Sequence, residues 1–366
     1  MKTLRDFDVK NKRVLVRCDF NVPLDDKGKW AKRTLSSSLS SFPSEMKILD
    51  DFRIKEALPT IEYLIKKGAK VILMSHLGRP EGKVVETLRL TPVQDRLMEY
   101  LDVSVTKASD CVGPEIEKWL TEMQSGEILL LENLRFHKEE EENDEKFAQE
   151  LSKLADIYIN DAFGASHRNH ASIVGVPKFL PSGAGLLLEK EIQVLSDLIE
   201  KPRKPLVAII GGAKVETKVK LIDRISEVAD FVLIGGLVKK AIKGESIQLK
   251  YPQKIVEPVD ETGGGKDIGL RTINLFKEKI SKAKTIFWNG TLGLAEEEEF
   301  AHGSREIAKT IIESGAFSVV GGGETVEFLT KLDLTEKFNH VSTGGGAMLA
   351  FLSGEKLPGL EALGGR

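Results

Sequence analysis

The sequence contains little cysteine, few aromatic residues and no long apolar run. Cys18 and Cys111 are the only cysteines in 366 residues, which is too few for a disulfide framework, and they lack the spacing of a metal-binding motif. No apolar run approaches the roughly 20 residues that span a bilayer, and the N-terminal MKTLRDFDVK lacks the apolar core of a signal peptide. The net charge of −3 does not favour nucleic-acid or membrane partners. We therefore expect a cytoplasmic protein with reduced thiols.

Length and composition indicate a globular protein with more than one hydrophobic core. The chain of 366 residues is longer than single cores usually become, so it is expected to divide into two domains. Hydrophobic residues make up 41% of the chain and charged residues 30%, which is usual for globular proteins.

Short runs rich in Val, Ile and Leu alternate with helical patterns along the whole chain. These runs are apolar at consecutive positions, which indicates strands buried on both faces, as in parallel sheets covered by helices. The pattern predicts an α/β fold with doubly wound, Rossmann-like parallel sheets. The runs lie at 13–21, 70–76, 127–133, 156–161, 205–212, 230–236, 284–290 and 317–324.

A helical segment near the middle of the chain marks the expected domain boundary. Turn residues precede it and a proline-rich break follows it, so we predict an interdomain helix over residues 185–201. The N-terminal domain is then expected over 1–184 and the C-terminal domain over 202–352. The serine-rich stretch 30–47 has no clear periodicity and is interpreted as a long loop.

In the first half of the chain, the predicted strands are followed by polar and basic residues. Ligands of open parallel sheets bind at the carboxyl ends of the strands, and arginine forms bidentate contacts with carboxylates and phosphates. We therefore expect a pocket for a small anion. No Ser or Cys nucleophile signature and no His/Cys/Glu spacing typical of zinc accompanies it. The residues that follow these strands include Asp19, Asn21, His76, Arg79, Arg135, His137, His167, Arg168 and His170.

In the second half, the predicted strands are followed by glycines, in IIGG, LIGG, WNG, VVGGGE and STGGGA. Glycines at such an edge allow a nucleotide to approach the main chain, with its phosphates at helix N-termini. Lys214 and Lys218 follow the first of these turns without the Walker A spacing. Glu324 and Thr325 offer oxygen ligands of the kind that Mg²⁺ takes. This half is therefore predicted to bind a nucleotide.

A basic pocket in one domain and a nucleotide site in the other are typical of a phosphotransferase that closes on its substrates. Phosphoryl transfer depends on in-line positioning and on charge compensation by Lys, Arg and Mg²⁺. A dinucleotide-dependent dehydrogenase is disfavoured, because no G-x-G-x-x-G sequence opens the first strand–helix unit.

Seven motifs occur in order over most of the chain: RCDFNVPL, VILMSHLGRP, LLLENLRFH, NDAFGASHRNHAS, GGAKVETK, WNG and HVSTGGGA. Together they closely resemble the motifs of the phosphoglycerate kinase family. The resemblance implies two doubly wound α/β domains, with the C-terminal tail, residues 353–366, returning to the first. It also implies a hinge-bending, monomeric glycolytic kinase with a carboxyl acceptor, which reversibly transfers a phosphoryl group between 1,3-bisphosphoglycerate and MgADP to give 3-phosphoglycerate and MgATP.

The resemblance further implies which residues bind each substrate. Arg53 and Lys214 would be catalytic, with Arg53 compensating transition-state charge and Lys214 holding the transferred group. Lys218 would contact the nucleotide phosphates, and Glu324 would face magnesium. The implied 3-phosphoglycerate site comprises Asp19, Asn21, Arg53, His76, Arg79, Arg135 and Arg168. The other implied nucleotide contacts are Gly235 and Gly236 at the base, Glu296 near the ribose, and Gly322, Gly323 and Thr325 at the phosphates.

Parts of the chain depart from the family pattern. The segment after Leu237 is several tens of residues shorter than in the family, which removes material beside the expected adenine pocket. The serine-rich stretch 30–47 separates Asn21 from Arg53, and the family's GGGD is GGGE here. These departures support an alternative hypothesis, in which a catalytically impaired relative binds substrate or partners without turnover.

Overall fold

The fold was analysed in a computed structural model of the chain, in which residues 1–25, 46–212 and 216–365 are described. Most of the serine-rich stretch 30–47 and the predicted catalytic residue Lys214 lie outside the described residues. Within the described ranges, no helix combines the length and the apolar character that a membrane crossing requires.

The chain forms two compact units. The first contains Met1–Lys190 together with Leu357–Arg366, and the second contains Glu191–Lys356. A helix, α6 (Leu186–Glu200), contains the point at which the chain passes from one unit to the other.

Where the structure describes the first unit, it contains six strands and, before α6, five helices. The strands are β1 (Arg13–Arg17), β2 (Lys70–Met74), β3 (Val105–Lys107), β4 (Ile128–Leu130), β5 (Ile157–Asn160) and β6 (Ser182–Ala184). The helices are α1 (Phe52–Lys66), α2 (Thr91–Leu101), α3 (Pro114–Glu122), α4 (Lys138–Glu142) and α5 (Glu145–Lys153).

The strands of the first unit form one parallel sheet in the order β3-β4-β2-β1-β5-β6. Strand β1 lies inside the sheet, between β2 and β5, and Val14, Leu15 and Val16 are fully buried. Burial on both faces explains why this strand is apolar at consecutive positions. The order also makes β4, β2, β1 and β5 consecutive neighbours, so the loops at their carboxyl ends lie side by side.

Among its described residues, the second unit contains eight strands and, in addition to its part of α6, six helices. The strands are β7 (Leu206–Ile210), β8 (Phe231–Ile234), β9 (Ile255–Val256), β10 (Glu261–Thr262), β11 (Asp267–Ile268), β12 (Thr285–Asn289), β13 (Phe317–Gly321) and β14 (His340–Val341). The helices are α7 (Glu216–Val228), α8 (Gly236–Gly244), α9 (Leu270–Ile280), α10 (His302–Ser314), α11 (Gly323–Lys331) and α12 (Gly345–Leu352).

Six of these strands form a second parallel sheet, in the order β14-β13-β12-β7-β8-β9, and β10 and β11 form a small antiparallel pair. Every residue of the central strands β7 and β12 is buried. The predicted class of two doubly wound parallel sheets is therefore confirmed. Each of the eight predicted runs contains a strand, whereas the prediction missed six strands of two or three residues: β3, β6, β9, β10, β11 and β14.

The C-terminal residues pack on the first unit. Helix α13 (Pro358–Ala362) begins near Ser166, whose carbonyl oxygen accepts a hydrogen bond of 2.9 Å from the Gly359 N–H. Ala362 packs against a small apolar cluster that includes Ala165 and Ile173. The tail thereby supports the loop after β5, which carries Arg168.

Candidate functional site

A cluster of basic side chains lies at the carboxyl ends of four neighbouring strands in the first unit. Asp19 and Asn21 follow β1, His76 and Arg79 follow β2, Arg135 follows β4, and Arg168 follows β5. Arg53 is the second residue of α1. Parallel strands present their carboxyl ends at one edge of the sheet, which is why residues so distant in sequence meet here. We call these residues, together with Arg17, the basic cluster.

His76 is the buried centre of the basic cluster. Its side chain is almost completely buried, and its pKa lies well below the ordinary value, first because of burial and then because Arg17, Arg135, Arg168 and Arg53 oppose a further positive charge. Arg17 Nη2 lies 3.1 Å from His76 Nδ1. A guanidinium can only donate, so Nδ1 accepts and the proton of the neutral ring is on Nε2.

Arg17 is a residue of the basic cluster that the sequence interpretation missed. It is fully buried at the end of β1, where Nε donates to Ser172 Oγ over 2.8 Å and Nη1 donates to the Cys18 carbonyl. Its charge is balanced by the buried Glu140, 3.9 Å away. A charged residue in an otherwise apolar strand run is the signal that could have identified it.

Arg135 is buried but incompletely paired. Its Nη1 donates to the Gly78 carbonyl over 2.6 Å and its Nε lies 3.1 Å from Glu141 Oε1, whereas Nη2 has no hydrogen-bond partner among the described residues. Burial, and then repulsion from Arg168, lower its pKa to about 10. An anion would supply the missing hydrogen bonds and compensate this charge.

Arg168 and Arg79 extend the basic cluster toward solvent. Arg168 is half-buried, its Nε atom has no hydrogen-bond partner in the described part of the chain, and burial lowers its pKa. Arg79 is exposed, and its charge contributes to lowering the pKa of Arg168. The cluster therefore runs from a buried floor to an accessible edge.

Arg53 is held by the loop that follows β1. Its Nη1 donates to the Asn21 carbonyl over 2.7 Å and lies 3.5 Å from Asp19 Oδ1. Asn21 Oδ1 in turn accepts from the Gly78 N–H over 2.9 Å. The contacts fix the position of Arg53 although its side chain remains 31% exposed, so its outer face can contact a ligand.

The second unit has glycines at the carboxyl ends of the neighbouring strands β13, β12, β7 and β8. The turns after these strands pack backbone against backbone: a methyl group placed on Gly235 would lie 3.3 Å from Gly211 Cα. Gly322 has φ +104° and a methyl group there would lie 2.7 Å from Asn289 Nδ2, so this position requires glycine. We call this surface, at residues 211–212, 235–236, 290 and 322–323, the glycine edge.

Lys218 and Glu324 both lie against the glycine edge. Lys218 is 5% exposed, and its Nζ donates to the Gly211 carbonyl. A methyl group placed on Gly212 would lie 2.5 Å from Lys218 Nζ and 3.0 Å from Glu324 Oε2, so both charged groups lie over the Gly212 backbone. Glu324 is in the first turn of α11 and is exposed. The edge thus combines open main chain with one cation and one carboxylate.

The other predicted nucleotide residues differ in their surroundings. Thr325 is fully buried, and its hydroxyl accepts from the Gly290 N–H over 2.8 Å, which ties α11 to the turn after β12. Gly236 begins α8 and Gly323 begins α11. Glu296 is exposed in the loop after β12, and its carboxylate forms no hydrogen bond or ion pair with any residue that the structure describes.

Comparison with known proteins identifies the family. The phosphoglycerate kinase family pattern matches residues 4–257 and 241–355. The chain is 43% identical to phosphoglycerate kinase of Dictyoglomus turgidum over 405 positions, covering 98% of this chain and 97% of that protein. It is 42% identical to the enzyme of Pelotomaculum thermopropionicum, covering 99% and 98%. The first alignment is longer than this chain of 366 residues, so the relative has positions that this chain lacks.

A solved structure agrees with this result. The crystal structure of phosphoglycerate kinase from Pyrococcus horikoshii matches with a TM-score of 0.84 and 34% sequence identity, covering 100% of this chain and 98% of that one. Family pattern, sequence relatives and three-dimensional similarity all extend over essentially the full length. The chain therefore belongs to the phosphoglycerate kinase family.

Proposed function

We propose that this protein is an active phosphoglycerate kinase that transfers a phosphoryl group between 1,3-bisphosphoglycerate and MgADP. The observation that carries the proposal is the basic cluster, where buried guanidinium atoms of Arg135 and Arg168 have no hydrogen-bond partners among the described residues. Such a cluster is suited to a small ligand with several negative charges. Full-length similarity to phosphoglycerate kinases supports the same activity.

The first unit is assigned to 3-phosphoglycerate. Arg135, Arg168 and Arg79 offer donors to its phosphate and carboxylate groups, and His76 offers its Nε2–H as a neutral donor. A neutral His76 avoids one further charge among the arginines and can still donate a hydrogen bond. Asp19 and Asn21 hold Arg53 at the accessible side of the cluster.

The second unit is assigned to the nucleotide. The glycine edge gives the nucleotide phosphates access to main-chain N–H groups, and Gly235 and Gly236 would line the base pocket. Lys218 supplies a cation, and Glu296 would reach the ribose. Gly322, Gly323 and Thr325 would border the phosphates.

Magnesium fits this part of the second unit. The exposed carboxylate of Glu324 lies beside Lys218 and Gly212, and Mg²⁺ takes carboxylate, water and phosphate oxygens as ligands. Glu324 would therefore hold the ion. When bound, the ion would neutralise charge on the nucleotide phosphates.

In the proposed reaction, a β-phosphate oxygen of ADP forms a bond to the phosphorus of the acyl phosphate, and the acyl P–O bond breaks. The electron pair of that bond remains on the carboxylate of 3-phosphoglycerate, so no proton transfer is required. The protein positions the two groups and compensates charge on the group in transit. Arg53 and Lys214 are assigned to this compensation, and Lys218 to the nucleotide phosphates.

A coupled assay for ATP formed from 1,3-bisphosphoglycerate and MgADP tests this assignment. We expect Arg53→Met and Lys218→Met each to lower kcat by about 100-fold or more, because each removes a charge that faces the transferred group or the nucleotide. One arginine and one lysine outside the site serve as matched controls for these two variants. Arg13 lies at the opposite end of β1 and is paired with Asp156, and Lys220 is exposed on α7 and is paired with Glu355.

Arg13→Met and Lys220→Met should stay within about twofold of the unmodified protein. Equal losses in the control variants and in the site variants would contradict the assignment. Calorimetry distinguishes the active enzyme from the catalytically impaired alternative. Binding of 3-phosphoglycerate without nucleotide binding or turnover would favour the impaired alternative. No observation on the described residues favours that alternative over the active enzyme.

Cellular location and assembly are further parts of the proposal. We assign the protein to the cytoplasm, because both cysteines are buried free thiols. One relative is described as chloroplastic in Volvox carteri, so fractionation of the source cells is the test. We assign a monomer, and light scattering should give the mass of one 40.4 kDa chain.

A further inference from the structure

Three potential metal ligands of different types meet at the outer side of the first unit. Asp110, Cys111 and His137 place a carboxylate oxygen, a thiol sulfur and an imidazole nitrogen within 4.8 Å of one another. His137 Nε2 lies 2.5 Å from Asp110 Oδ1, and the His137 ring stacks on Phe147 with ring centroids 4.9 Å apart. We call these three residues the Asp-Cys-His cluster. None of them belongs to the basic cluster.

The fold explains why these three residues meet. Asp110 and Cys111 lie in the loop that follows β3, and His137 lies in the loop that follows β4. Strands β3 and β4 are parallel neighbours, so their following loops lie side by side. Two hydrogen bonds hold the loops together: the Glu132 N–H donates to the Asp110 carbonyl over 3.2 Å, and the Cys111 thiol donates to the Glu132 carbonyl over 3.0 Å.

The donor atoms match a borderline-soft cation rather than Mg²⁺. Zinc binds thiolate, imidazole and carboxylate at roughly 2.0–2.3 Å in tetrahedral geometry, which places its ligands about 3.3–3.7 Å apart. The present separations reach up to 4.8 Å, whereas His137 Nε2 and Asp110 Oδ1 are only 2.5 Å apart. Binding therefore requires the most distant pair to approach by about 1 Å and the His137–Asp110 pair to separate by about 1 Å. Mg²⁺ prefers oxygen ligands in octahedral geometry, so it does not suit this donor set.

Burial and charge also suit a cation. Cys111 is fully buried, whereas the side chains of His137 and Asp110 are 25% and 53% exposed, so the thiol lies at the inner end of an accessible site. A divalent cation would replace the thiol proton and compensate the charge of the adjacent Asp110 carboxylate.

From this geometry we infer that the Asp-Cys-His cluster binds a zinc-type divalent cation, with a water molecule as the fourth ligand. The site is separate from the proposed magnesium position at Glu324, which is in the other unit. The sequence shows no metal motif, because the ligands come from two loops about 27 residues apart. His137 follows Arg135 by two residues, so a bound cation would hold the loop that carries Arg135.

Titration with Co²⁺ tests this inference. The purified full-length protein is reduced, freed of metal and examined without nucleotide. We expect about one equivalent of Co²⁺ to produce a thiolate-to-metal absorption band in the near ultraviolet and the strong visible bands of tetrahedral cobalt. Zn²⁺ should displace Co²⁺ and abolish both. Carboxylate sites such as Glu324 could bind Co²⁺ but cannot produce the thiolate band.

Variants of the ligands and matched controls complete the test. Cys111→Ser should abolish the thiolate band, and His137→Ala should weaken Co²⁺ binding by at least about tenfold. Cys18→Ala removes the other buried thiol, and His302→Ala removes a histidine of the second unit; neither should change the spectrum. Absence of the thiolate band from the unmodified protein, or its persistence in Cys111→Ser, overturns the inference. If Cys111→Ser does not fold, the other two spectra decide. A thiolate band in the unmodified protein together with weakened Co²⁺ binding in His137→Ala supports the inference, and unchanged Co²⁺ binding in His137→Ala overturns it.

Discussion

The variant Arg135→Met tests whether the basic cluster is built for ligand binding rather than for stability. The charge of Arg135 is expected to oppose folding and to favour binding of an anionic ligand. Arg135 is 2% exposed, and burial, followed by repulsion from Arg168, lowers its pKa to about 10. A lowered pKa means that the folded state disfavours the charged form. Because neutral pH lies below the pKa of both states, this cost is fully present there.

This lowering of the pKa corresponds to roughly 3 kcal/mol of free energy opposing folding. Water screens part of it, since the facing Glu141 side chain is 43% exposed, and we take about 1–2 kcal/mol as the effective cost. Methionine retains the apolar stem but loses the hydrogen bond to the Gly78 carbonyl, which contributes about 1 kcal/mol. The free energy of unfolding of Arg135→Met should therefore stay within about 1 kcal/mol of the original, or exceed it.

Arg17 is the matched control, because it is also a fully buried arginine of the first unit. Its charge is balanced by Glu140 and its donors contact Ser172, the Cys18 carbonyl and His76. Removing it leaves the buried Glu140 without its guanidinium partner. Arg17→Met should therefore destabilise the protein by about 3–5 kcal/mol.

The assay is urea-induced unfolding, followed by circular dichroism with and without 3-phosphoglycerate. A ligand at about 100 times its Kd stabilises the original protein by about 2.7 kcal/mol. We expect Arg135→Met to lose most of this ligand-dependent gain, because charged hydrogen bonds to the ligand are lost. The reasoning is refuted if Arg135→Met is destabilised as strongly as Arg17→Met without ligand, or if it keeps the full gain.

Three further predictions concern single residues. His76 should show no protonation by NMR as the pH falls through 6.5, because its pKa is lowered; an ordinary titration would contradict the environment described for it. Burial raises the pKa of Asp161 to about 6, so its carboxyl favours folding below about pH 4 and this contribution, roughly 3 kcal/mol, is lost as the pH rises through 6. Asp161→Asn should remove this part of the pH dependence of the free energy of unfolding. An unchanged pH dependence in Asp161→Asn would contradict the raised pKa of Asp161. Gly322→Ala should weaken nucleotide binding by about tenfold or more, because φ is +104° at this position and Asn289 Nδ2 would lie 2.7 Å from the new methyl group. The affinity for 3-phosphoglycerate, measured by calorimetry, should not change. Equal losses of affinity for both ligands would contradict the placement of the nucleotide at the glycine edge.

The fold class and the basic cluster could be predicted from the sequence for one physical reason. Strands buried on both faces are apolar at consecutive positions, so β1, β2, β7 and β12 are visible as runs. In a parallel sheet the residues that follow such strands gather at one edge. His76 and Arg135 therefore could be assigned to one cluster without a structure.

Other features depend on tertiary contacts that leave little trace in sequence. The edge strands β6 and β9 have three and two residues, too few to produce a pattern. The contact of Arg17 with His76, and hence the proton position on the imidazole, depends on the register of β1 beside β2. The Asp-Cys-His cluster joins two loops whose residues have no characteristic spacing.

Single-turnover transfer of label tests the central claim most directly. The protein is mixed in excess with MgADP and 1,3-bisphosphoglycerate carrying ³²P in the acyl phosphate, and the products are separated after rapid quenching. If this chain brings an acyl phosphate and ADP together in line, the label appears in the γ-phosphate of ATP while 3-phosphoglycerate is released unlabelled. Binding of both ligands without label in ATP, or label released only as inorganic phosphate, would contradict it.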